Sequence, residues 1–112
     1  MSELYPESTA KLRAMRKELA PEALTAFRQF SRRVFADGAL SAQVKQLIAV
    51  AVAHTTQCPY CIRGHTEAAV QAGATDEQIM EAIWVAAEMR AGAAYAHSII
   101  ALDTLDKIRT SG

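Results

Sequence analysis

At the centre of the segment from Ser41 to Gln57 stands Leu47-Ile48-Ala49-Val50-Ala51-Val52-Ala53, a run with no polar residue. Ser41 has the chemistry of an N-cap, and a helix from there to about Gln57 is apolar on every side of its middle turns. A helix without a polar face has to be enclosed. A chain of 112 residues has limited interior to do this, so the expectation is that other subunits help to bury it.

Outward from this segment the pattern stays helical. Leu12, Met15 and Leu19 form one stripe of a first helix, from about Ser8 to Leu19, which Pro21 interrupts. Pro21 suits the first turn of a second helix, to about Ala36, with Leu24, Phe27, Phe30, Val34 and Phe35 near one face and Asp37-Gly38 at its end. Downstream, Pro59 fits the opening of a fourth helix to about Ala72, closed by Gly73. Thr75-Asp76-Glu77-Gln78 has the form of a capping box and opens a fifth helix through Ile79, Ile83 and Trp84. A kink or break is expected around Arg90 to Gly92, giving about six helices in all. Beyond it, Ala91, Gly92, Ala93, Ala94 and Ala96 allow close helix approach, and Ile99, Ile100, Leu102 and Leu105 add apolar turns. Strand alternation and repeats are lacking, so the reading is a single all-α domain over residues 1–112.

Composition narrows the function. Twelve basic and twelve acidic residues cancel, leaving no broad positive field to attract nucleic acid or an anionic membrane surface. The longest apolar run is far shorter than the roughly 20 residues that span a bilayer. Met1 to Glu7 has acidic residues and a proline where a signal peptide needs a basic and then an apolar stretch, so a cytoplasmic location is expected.

The only two cysteines stand in Cys58-Pro59-Tyr60-Cys61-Ile62-Arg63-Gly64-His65. A bridge closing so small a loop removes little unfolded-state entropy, which leaves redox chemistry or metal binding as their use. In a helix starting at Pro59, Cys58 and Cys61 are one turn apart, and Cys61 and His65 lie at i and i+4 on one face. An attacking thiolate, a resolving thiol and a base would then converge. The free amides of the helix start favour thiolate at Cys58, whereas His65 is the more direct base for Cys61. Cys61 is taken as the attacking thiol and Cys58 as the resolving one.

The stretch Lys45 to Ala53 leading into Cys58-Pro59-Tyr60-Cys61 and His65 resembles the alkylhydroperoxidase D branch of the carboxymuconolactone decarboxylase-like family, over about residues 40–105. This resemblance implies an all-helical homo-oligomer, commonly a trimer or hexamer. It implies that Cys58, Cys61 and His65 are the redox pair and proton-relay histidine of a peroxidase that reduces hydroperoxides and is re-reduced by a thiol or dithiol. No cofactor and no metal is implied. The family pattern usually has a glutamate twelve positions before the first cysteine, where this chain has Gln46. A glutamine can orient a histidine but cannot ionise. His54, one turn before Cys58, is a candidate replacement, with Glu88 and His97 as others if the last helices fold over the site. The decarboxylase branch lacks the cysteine pair, which argues against lactone decarboxylation.

Blander readings compete. His54, Cys58, Cys61 and His65 make up a Cys2His2 inventory for zinc, yet all four crowd into twelve residues across a helix junction, where structural zinc sites draw on two separated segments. A dithiol sensor or disulfide-exchange protein needs the same pair without fast turnover. Phe27, Phe30, Phe35 and Trp84 read as core or interface, and Tyr60 as an entrance residue or an exposed first-turn residue.

Overall fold

The computed structural model describes residues 4–111, so residues 1–3 of the Met1–Glu7 stretch lie outside it. Among the described residues every regular element is an α-helix: α1 Ala10–Leu19, α2 Pro21–Phe35, α3 Ala42–Thr56, α4 Pro59–Gln71 and α5 Asp76–Thr110. Side-chain caps start four of them, Cys58 capping α4 and the other three falling where the sequence predicts or nearly so. Thr9 accepts from the Leu12 amide, Ser41 from Val44, and Thr75 and Gln78 form a complete reciprocal box.

The expected break at Arg90 to Gly92 does not occur, and the last two expected helices are one of 35 residues. Gly92 is flanked by alanines, the best helix formers, and a single glycine costs only about 1 kcal/mol, too little to end a helix without a proline.

α3 and α4 are joined by two residues. Gln57 adopts a left-handed conformation (φ 58°), and the amides of Gln57 and Cys58 both return to the Ala53 carbonyl, a tight helix end that starts α4 at once. Gln43 Nε2 donates to the Ala72 carbonyl at the far end of α4, and Arg90 Nη1 from α5 donates to the Thr55 carbonyl at 2.6 Å. These bonds tie both ends of the α3–α4 pair.

The buried cluster is Val50, Ala69, Ala74 and Ile79, with Leu47 and Ile83 packed against it. It encloses only one side of the apolar run in α3, for Ile48 and Val52 remain about half exposed. The molecule is long, 62 × 34 × 33 Å, because α1, α2 and the second half of α5 project from this core. Phe27, Phe30 and Trp84 are each about two-thirds exposed, so none is a core residue of the single chain. Ile99, Ile100, Leu102 and Leu105 are exposed as well. Among the described residues no helix is long and apolar enough to cross a membrane.

Candidate functional site

Cys58 is the N-cap of α4, and its sulfur accepts the Cys61 amide at 3.2 Å. The left-handed Gln57 delivers it there, and Pro59 at the first helical position holds the turn that follows. Cys58 and Cys61 are joined in a disulfide, with Cα atoms 5.2 Å apart. Cys58 is half-buried and Cys61 exposed.

One turn along α4, His65 is half-buried and held from two sides. Its Nδ1 donates to Gln46 Oε1 of α3 at 2.8 Å. With an amide oxygen as acceptor, Nδ1 carries the hydrogen, which leaves Nε2 of the neutral ring with the free lone pair. Phe35, the last residue of α2, stacks on the ring with centroids 5.0 Å apart at 28°.

What keeps Phe35 there is the α2–α3 turn. Lys45 Nζ donates to the Ala36 carbonyl at 2.6 Å, and Asp37 Oδ1 accepts from the Ala42 amide at 2.7 Å, at the positive end of α3. The end of α2, one face of α3 and the start of α4 thereby enclose an open groove of about 430 Å³. Cys61 and His65 lie in its wall with Phe35, Ile48, Val52 and Thr56, and Lys45 is its one residue with a full formal charge.

Of the residues singled out in sequence, Cys58, Cys61, His65 and Gln46 are thus brought together. His54 is not part of the groove lining. It is half-buried, with Nδ1 2.7 Å from the Val50 carbonyl one turn back in its own helix. Glu88 lies beside Gly92 on α5, and His97 is exposed in the projecting half of that helix; neither lines the groove. Among the described residues no three His, Cys, Asp or Glu side chains are placed to share a metal ion.

Tyr60 sits on a different side of α4, where its hydroxyl donates to the Pro6 carbonyl at 2.6 Å and its ring meets Tyr5 edge-on. It lines a second cleft with Arg13, Arg16 and Arg63, outside the thiol groove. Sequence reasoning missed Phe35 and Lys45 as site residues. The signal for Phe35 was faint: a helix-terminal aromatic looks like any other apolar residue until the turn after it is known.

An all-helical chain with a cysteine pair at a helix start, and a histidine one turn on, defines a class of helical dithiol proteins. The sequence profile of the carboxymuconolactone decarboxylase family matches residues 21–104, three-quarters of the chain, and the protein belongs to that family. The match takes in α2, and so Phe35, beyond the 40–105 stretch of the sequence resemblance. A Paracoccus denitrificans protein known as uncharacterized protein 4 in cox locus is 70% identical over 83 residues, 74% of this chain and 75% of its own. Among solved structures, the apo form of a carboxymuconolactone decarboxylase family protein from Legionella pneumophila is 35% identical, with a TM-score of 0.66 over 87% of this chain and 86% of its own. A family member from Thermotoga maritima, for which involvement in an antioxidative response has been suggested, is 26% identical with a TM-score of 0.57, over 80% of this chain and 96% of its own.

Proposed function

We propose that this protein is a thiol-dependent peroxidase in which Cys61 attacks a hydroperoxide. The observation that carries the reading is the shared wall: Cys61, bonded to Cys58, and His65, oriented by Gln46, face one apolar groove. His65 takes the Cys61 proton at Nε2. The thiolate attacks the terminal oxygen of the hydroperoxide, forming an S–O bond as the O–O bond breaks, and the departing alkoxide takes a proton to leave as an alcohol. Cys58 then attacks the sulfenic sulfur, water departs, and a cellular dithiol returns two electrons and two protons to the resulting disulfide. The antioxidative role suggested for the Thermotoga relative points the same way. A reducing compartment such as the cytoplasm fits a dithiol that must be re-reduced.

The test starts from the reduced protein. One equivalent of cumene hydroperoxide is expected to yield a Cys58–Cys61 disulfide by mass spectrometry, with turnover when a dithiol is supplied. A product that stays reduced, or carries only sulfonate, would sink the proposal.

Gln46 favours a second reading, slow disulfide exchange or oxidant sensing, because an amide orients the ring without stabilising an imidazolium as a carboxylate would. Under the peroxidase reading Gln46→Glu raises the rate of peroxide reduction. An unchanged rate removes the relay from the mechanism. The exposed apolar residues of α2 and α5 support assembly into a homo-oligomer, of trimer or hexamer size by the family resemblance.

A further inference from the structure

Lys45 is an unusual wall for a thiol groove. The lining is otherwise dominated by Val34, Phe35, Ile48, Val52 and alanines, and an ammonium gains nothing from such neighbours. Lys45 is half-buried, and among the described residues no carboxylate stands within ion-pairing distance of it. Asp37, in the connection between α2 and α3, is engaged with the Ala42 amide instead. The Ala36 carbonyl takes one of the three Lys45 N–H groups, leaving two to donate. A partly desolvated cation that meets the carbonyl end of α2 but no carboxylate of the described residues is stabilised further by an anion that enters beside it. The groove that holds this cation is the one that holds Cys61 and His65.

From this placement we infer that the favoured substrate carries a carboxylate on an apolar organic hydroperoxide body, with Lys45 as the anion anchor. The inference rests on the peroxidase reading and names its substrate class. The apolar wall takes the hydrocarbon, Lys45 pairs with the carboxylate, and the peroxide is left to face Cys61. A groove of about 430 Å³ lies within the usual range for a small organic ligand. Lys45 takes no part in the bond changes. ROOH and two thiols still give ROH, water and the Cys58–Cys61 disulfide.

The matched probes are cumene hydroperoxide and its para-carboxy derivative, which differ only in the anionic group. The quantity read is the ratio of their second-order rate constants for disulfide formation in the reduced protein. The carboxylated probe is expected to react about tenfold faster, as a charge-assisted hydrogen bond would provide. Lys45→Met should bring the ratio to about one or below, whatever it does to both rates, and Lys45→Arg should keep it high. Raising the salt concentration should lower it in the unaltered protein. Equal rates with the two probes, or a preference that survives Lys45→Met, would overturn this assignment alone. A protein that forms no disulfide with either probe would overturn the peroxidase reading along with it.

Discussion

The α3–α4 pair with the first half of α5, and the arms made by α1, α2 and the second half of α5, are built from similar apolar content and end in opposite environments. In the first region Val50 and Ala69 are fully buried, and hydrogen bonds from Gln43 and Arg90 bind the ends. In the second, Phe27, Phe30, Ile99 and Ile100 face outward. One chain therefore completes the scaffold of its dithiol turn, while most apolar surface on the arms is left for something else to cover. Phe35 is where the two meet: an arm residue stacked on the histidine of the site.

The contrast is tested most severely at the sulfurs. Cys61→Ser and Cys58→Ser should each reduce peroxidase turnover to background, measured as hydroperoxide consumed with excess dithiol, while the far-ultraviolet circular dichroism stays helical. His65→Ala should cost on the order of a hundredfold in the rate of disulfide formation; a change of only a few-fold would remove it as the base.

Stability should divide along the same boundary. Val50→Ala removes buried methyl groups from the enclosed region and should cost about 2 kcal/mol in denaturant unfolding. Ile99→Ala should cost nothing measurable in a dissociated chain. If the arms are interfaces, the Tm of the unaltered protein should depend on protomer concentration, and Ile99→Asp should move the protein to a smaller species in sedimentation velocity and weaken that dependence. An unchanged mass would show that this part of α5 stays uncovered. A smaller cost than that of Val50→Ala is expected at the joint, where Gln57→Val places a β-branched residue in a left-handed conformation, at about 1–2 kcal/mol in denaturant unfolding.

Much of this was legible in the chain because it is local. Caps at Ser41 and Thr75, prolines at 21 and 59, and Gly73 with its positive φ act within one turn, so helix bounds fell close to those expected. The proximity of Cys58 to Cys61 follows from helical pitch alone. The break expected near Gly92 is absent because the alanines around it favour the helix by enough to absorb the penalty of one glycine.

The sequence by itself determined an all-helical chain, a cysteine pair at a helix start and a histidine one turn on, because each depends on hydrogen bonds and spacings within a few residues. Only the tertiary structure decided that Gln46 orients His65, that Phe35 covers its ring, that Lys45 shares the groove, and that His54 lies outside it. Those outcomes depend on how a turn of six residues between α2 and α3 aims one helix at another, and no periodicity along the chain encodes a direction in space.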